Sequence, residues 1–249
     1  NKDPFALRRN ALGLARTIIE SGYSIGLPDL LFEACMQIRQ STEGMSAAKA
    51  VDRLRKLDAE GIDAKSASLT IIPEQPHAVV ADLYDFILDR LRGYYADKGV
   101  PASHFTAVAE LKPKSLYDFD RRIDAIGTFA QLPEAAALAA ANKRIGNILK
   151  KAEGDIPGGE DPALLSEPAE RALAEAVEAA YAETGHALAQ GDYVDVLAHL
   201  ARLRPQVDAF FDNVMVNVDD PAIRNNRLAL LKRLADRLGS VAAIEHLSV

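Results

Sequence analysis

Apolar residues recur at three- and four-residue spacings along most of this chain, and β-branched runs are short, a pattern that predicts an all-α protein. The densest stretch, Pro205–Leu238, reads as two helices and a tight joint. Pro205 suits a first helical turn, and Val207, Phe210, Phe211, Val214, Met215 and Val218 then lay one apolar face along the segment. Asp219-Asp220-Pro221 starts the second helix, with Asp220 as N-cap and Pro221 where a missing N–H costs nothing. Ile223, Leu230, Leu231, Leu234 and Leu238 form its buried stripe, and Gly239 is placed as a stop.

Upstream, Asp3 and Pro4 open a helix in which Phe5, Leu7, Leu12, Leu14, Ile18 and Ile19 are the inward positions, ending at Ser21-Gly22. Asp29–Arg39 and Ala47–Leu57 are two further helical stretches. Two prolines in Ile71–Pro76 discourage helix continuation, which predicts a domain boundary there, with units over 1–74 and 75–249. Ala78–Tyr95 is amphipathic, with Val79, Leu83, Phe86, Ile87 and Leu91 inward. A short helix follows Pro101, then Leu116–Gln131, carrying Leu116, Phe119, Ile123, Ile126 and Phe129, then Pro133–Lys151. Glu153–Pro162, rich in Gly, Pro and acids, is expected to be a mobile loop. The alanine-rich Glu167–Leu188 and an Asp192-capped Tyr193–Leu203 complete what reads as a compact bundle.

Composition narrows the chemistry. At 249 residues, 49% hydrophobic and 26% charged, the chain has the balance of a soluble globular protein. It opens on Asn1 and not Met, as expected of an excised or processed piece, and its first residues lack a signal-peptide pattern. No stretch approaches the ~20 consecutive apolar residues of a membrane span. The lone Cys35 agrees with a reducing cytoplasm. A net charge of −7 makes any nucleic-acid binding the work of a local patch.

Neither a phosphate-cradling Gly-rich loop followed by Lys-Ser/Thr nor G-x-G-x-x-G occurs. The five histidines are scattered and none is followed by Asp, so the metal-binding pair of HD hydrolases is absent. Asp118, Asp120 and Asp124 read as helix-face carboxylates pairing with Arg121 and Arg122. No catalytic residue and no metal ligand is assigned. Positive chemistry gathers in Arg121, Arg122, Asn142, Lys143, Arg144, Asn147, Lys150 and Lys151, of which Lys143, Asn147, Lys150 and Lys151 share one helical face. Such a face is either solvated or an RNA footprint, in which cations neutralise phosphates and amides meet base edges, with Tyr95, Tyr117 or Phe119 as stacking candidates. Arg227 lies on or beside an apolar stripe and needs a partner. Asp212, Asp219 or Asp220 would lock the two helices, or Arg224, Asn225, Asn226 and Arg227 would together present donors to a phosphate or base.

The sequence FFDNVMVNVDDPAIRNNRLALLKRL at Phe210–Leu234 resembles the closing signature of the bacterial glycyl-tRNA synthetase beta subunit, inside its DALR-type anticodon-binding domain. KDPFALRRNALGLAR at Lys2–Arg16, DFILDRLRGYY at Asp85–Tyr95, SLYDFDRRIDAI at Ser115–Ile126 and AANKRIGNILKK at Ala140–Lys151 are similar to successive blocks of that subunit. Arginyl-tRNA synthetases share a looser pattern and are the rival family. The resemblance implies the C-terminal part of the beta subunit: a DALR-type helical bundle over 75–249, preceded by a smaller helical unit that ends the HD-like region. It further implies a tRNA-binding, non-catalytic stretch with no cofactor of its own, ATP and Mg2+ being used through the alpha subunit. The implied partners are glycine tRNA, the alpha subunit and a second beta subunit in an α2β2 assembly, in the cytoplasm and away from membranes. A helical assembly scaffold without RNA contact is the reading from a different class.

Overall fold

The computed structural model describes residues 6–40 and 76–247. The expected cap at Asp3-Pro4 with Phe5, the helix over Ala47–Leu57 and nearly all of the Ile71–Pro76 boundary lie outside the described residues. Helices are α1 (Leu7–Glu20), α2 (27–40), α3 (Pro76–Asp97), α4 (Ala102–Ala109), α5 (Leu116–Phe129), α6 (Ala135–Lys150), α7 (Pro168–Gln190), α8 (Tyr193–Ala201), α9 (Arg204–Asn213) and α10 (Pro221–Leu238). Short 3-10 turns occupy Pro162–Leu164 and Ile244–Leu247. Two compact units divide inside α3, after Leu91, and not at the expected 74/75 junction. Lys114–Leu116 belongs with the first unit, and Arg92–Pro113 with Tyr117 onward forms the second.

In the first unit α1 follows Ala6, whose φ of 55° is left-handed, and ends at Ser21 with Gly22 at φ 67°. Its buried stripe is narrower than the six expected positions, holding Ala15, Ile18 and Ile19, while Leu7 and Leu14 remain 55% and 41% exposed. The stripe of α3 is also corrected, since Val80, Tyr84, Ile87, Leu88, Leu91 and Tyr95 are buried and Leu83 is exposed. Counting the two tyrosines as apolar bodies with polar tips recovers that face.

Tyr95, Phe105 and Phe119 form an aromatic cluster with centroids 5.2–5.9 Å apart. The Tyr95 hydroxyl donates to Asp120 Oδ1 at 2.7 Å, which satisfies the polar tip of a buried ring. Tyr95 and Phe119 are therefore core, not stacking platforms. Along α5, Phe119, Ile123, Ile126 and Phe129 are buried as the spacing predicts.

Glu167 caps α7 in a reciprocal capping box with Glu170, and Gly191 ends the helix at φ 68°. A Cβ at Gly191 would also meet Arg121 Nη1 at 2.7 Å. The far end of the predicted mobile loop is pinned, because Asn226 Oδ1 accepts from Asp161 N at 2.6 Å and Asn226 Nδ2 donates to Asp161 O at 3.1 Å.

Helix α9 stops at Asn213, short of the predicted Val218, and Val214 is extended at φ −116°, ψ 121°. Val214 and Val216 then point inward while Met215 is 73% exposed, an alternation of period two. Asp220 Oδ1 caps α10 by accepting from Ala222 N and Ile223 N. All residues from Asn226 to Leu231 are buried, so α10, packed against α6 and α7, is a central helix and not a one-sided one. Each fully buried leucine on it contributes about 1.5–3 kcal/mol.

Candidate nucleic-acid interface

Helix α6 and the start of α10 enclose a cleft of about 700 Å³ lined by Lys143, Arg144, Asn147, Lys151, Asn217 and Arg224 around Ala140, Ile148 and Leu228. The lining thus brings cations together with the apolar Ala140, Ile148, Ala152 and Leu228, so a ligand there meets both. The rest of the lining adds one carboxylate, Glu153, against four cations. Positive potential therefore concentrates here in a chain whose net charge is −7.

Sequence order explains how the cleft is built. Lys143 and Asn147 on α6 and Lys151 at its C-cap stand four residues apart on one face, and the opposite face buries Leu138, Ala139, Asn142 and Ile145. Arg144 borders that row, with its guanidinium carbon 4.1 Å from the Phe211 ring centroid. Arg224 enters from α10 and donates from Nη1 to Val218 O at 2.8 Å, leaving its other N–H groups for the cleft. Lys150 is exposed on α6 without lining the cleft, and Asn225, half-buried on α10, is outside the lining as well.

Arg122, Asn142 and Arg227 serve the interior instead, and the half-buried Arg121 lies outside the cleft lining. Arg122 Nε donates to Asp118 Oδ2 at 2.8 Å, its Nη1 to Ser240 O and Val241 O at 3.0 and 2.7 Å, and its Nη2 to Tyr193 Oη at 3.0 Å. Arg121 Nη2 donates to Gln190 O at 3.3 Å. Asn142 is buried and donates from Nδ2 to Glu245 Oε2 at 2.9 Å. Of the carboxylates expected to pair within α5, Asp118 does so with Arg122, whereas Asp120 serves Tyr95.

Arg227 is the sharpest correction. Its partner is Glu170 at the start of α7, not Asp212, Asp219 or Asp220, and the two side chains are 6% and 0% exposed. Arg227 Nη1 also donates to Met215 O at 2.7 Å and Nη2 to Ser166 Oγ at 3.4 Å. Burial pushes the Glu170 carboxyl up, but the Arg227 hydrogen bond, the Glu167 backbone N–H, the Arg227 charge and the Ser166 hydroxyl together hold it below the ordinary carboxylate value. A guanidinium so satisfied is withdrawn from any external phosphate.

Asn217 and Phe211 are site residues that helical spacing missed. The signal was present in Val214, Val216 and Val218, whose alternation departs from helical spacing; the chain bends at Val216 and Asn217, where Val218 N donates to Val216 O at 3.2 Å, and Asn217 is left exposed. Among the described residues, no group of three or more His, Cys, Asp or Glu is placed to hold a metal ion. No helix of the described residues is long and apolar enough to cross a membrane.

Residues 1–110 match the family model described as glycyl-tRNA synthetase beta subunit, and residues 138–244, which contain every residue lining the cleft, match the DALR anticodon binding domain. The whole chain aligns at 66% identity with the glycine–tRNA ligase beta subunit of Xanthomonas campestris pv. campestris (strain 8004), over 32% of that relative. The chain belongs to the glycyl-tRNA synthetase beta-subunit family. Members from Xylella fastidiosa (strain M12) and Methylobacillus flagellatus are 55% and 40% identical over 100% and 99% of this chain, covering 34% and 30% of those relatives. The chain thus spans about a third of the length of the beta subunits it matches. These matches fall on the glycine side of the two synthetase families weighed from the sequence, and the DALR match lies on the helical unit that holds the cleft.

Proposed function

We propose that this part of the beta subunit binds glycine tRNA through the α6–α10 cleft and supports glycine attachment that is catalysed with a separate alpha subunit. The observation that carries the reading is the convergence of Lys143, Arg144, Asn147, Lys151 and Arg224 on one cleft within the DALR match. Cations along a groove neutralise phosphates of an unpaired loop, and apolar side chains among them accommodate splayed bases. The chain supplies binding and selection: contacts to the correct loop lower the free energy of the productive complex. ATP and Mg2+ belong to the alpha subunit in this reading, the assembly pairs two alpha with two beta subunits, and its place is the cytoplasm.

The test is a titration of glycine tRNA against the chain at increasing salt. Three to four phosphate contacts to a single strand give a log–log slope of about −2 to −3. K143E with K151E should weaken binding and flatten that slope. Salt-insensitive or absent binding would leave the helices as an assembly scaffold. Glycine-dependent ATP–pyrophosphate exchange by the pure chain would overturn the division of labour.

A further inference from the structure

The cleft carries more than phosphate-binding charge. Arg144 rests on the Phe211 ring at 4.1 Å from its centroid, while its exposed side chain lines the cleft. A planar guanidinium backed by a ring is a plate already held in place, and its open face stacks on a nucleobase at low entropic cost. Asn147 and Asn217 line the same cleft, exposed, and the structure gives neither amide a hydrogen bond within the described residues. Each amide therefore offers two N–H donors and an acceptor oxygen.

Asn217 is also held in place by its neighbours. Two residues before it, Met215 O accepts from Arg227 Nη1 at 2.7 Å, and at the next residue Val218 O accepts from Arg224 Nη1 at 2.8 Å. Both guanidinium groups belong to α10, so the bend between α9 and α10 is fastened to that helix on either side of Asn217. Fixing a free amide in this way lowers the ordering cost of any contact it makes. A cleft serving only phosphate charge has no use for a backed plate and two idle amides.

Resting on the RNA reading above, we propose that the cleft takes one unpaired nucleotide and reads its base. The base stacks on Arg144 over Phe211, its edge meets Asn217 and Asn147, and the flanking phosphates lie on Lys143, Lys151 and Arg224. Arg144 and Asn217 are the specificity-determining residues of this site, and the lysines set affinity without choosing the base.

The experiment uses the chain with a glycine tRNA transcript and a set of transcripts in which each unpaired anticodon-loop nucleotide is changed to the other three bases, titrated at several salt concentrations. R144K keeps the charge but loses the plate, and N217A removes the amide from an exposed position; thermal unfolding of both should match that of the parent chain. Each should weaken the parent transcript ~10-fold with an unchanged salt slope, and erase the preference at one and the same loop position. K143E with K151E should weaken all transcripts alike and flatten the slope. If R144K and N217A retain the parent chain's preferences while the lysine reversals still weaken binding, the base-reading proposal is overturned and the RNA reading stands. If the lysine reversals leave binding unchanged, the RNA reading itself fails.

Discussion

Arg227 of α10 and Glu170 in the first turn of α7 meet across 57 residues of sequence, almost wholly out of water, and the same guanidinium ties down Met215 O. One buried cation thus joins the central helix, the α7 capping box and the segment that carries Asn217. Removing it leaves Glu170 as an uncompensated buried charge, so R227M should destabilise the second unit by about 3–5 kcal/mol. Urea unfolding measures this. Replacing both partners with apolar residues of similar volume should recover most of the loss, because the penalty is the orphaned carboxylate.

The pair also gives stability a defined pH dependence. The Glu170 carboxyl titrates below its ordinary value in the folded chain, so its contribution is present above the unfolded value and is lost as pH falls through the folded one. Unfolding free energies measured from about pH 6 down to about pH 3, across the ordinary carboxylate range, should fall for the parent chain. E170Q, less stable throughout, should fall less steeply. Equal slopes would mean that Glu170 binds its proton alike in both states.

How far the sequence reached can be judged from α10. Its start at Asp220-Pro221 was legible because an N-cap is local chemistry, fixed by a side chain within three residues of the backbone groups it serves, whereas Gly239 follows the last helical residue but at φ −78° forms no left-handed cap. The cationic row of α6 was legible because four-residue spacing puts Lys143, Asn147 and Lys151 on one face whatever the tertiary fold. The partner of Arg227 was not, since nothing local distinguishes Glu170 from the three nearer aspartates. Asn217 escaped notice because Val214, Met215 and Val218 also fit a helical face, whereas in the fold α9 ends at Asn213 and the chain bends at Val216 and Asn217.

Arg122 separates a structural arginine from an RNA-contacting one. Its bonds to Ser240 O and Val241 O fasten the chain just beyond α10, where Ala243 N in turn donates to Ala107 O at 2.8 Å. R122M should speed amide hydrogen exchange across Gly239–Leu247 and cost about 1–3 kcal/mol, through carbonyls left unpaired. The salt slope of tRNA binding should not move. A flattened slope would return Arg122 to the footprint.

The N-cap of α10 affects the cleft through geometry. Asp220 accepts from Ala222 N and Ile223 N, and Arg224 lies one residue further on. D220A should cost about 1 kcal/mol by fraying the first turn. D220N keeps the acceptor oxygen and should restore most of it. tRNA affinity should follow the same order, since fraying loosens the turn that aims Arg224.

Phe210 and Phe211 are adjacent in sequence and opposite in role, which allows packing and recognition to be measured separately. Phe210 is 0% exposed in the core, whereas the half-buried Phe211 lies under Arg144. F210A should lose about 3–5 kcal/mol of stability, the usual cost of emptying a buried ring. F211L keeps an apolar body and should cost less than about 1.5 kcal/mol. Its consequence should appear in binding, because without the ring Arg144 keeps its charge but loses the surface that holds it flat. Calorimetric unfolding and tRNA titration of the two variants should therefore rank them in opposite orders, and the same ranking in both would mean that the Arg144–Phe211 contact is packing alone.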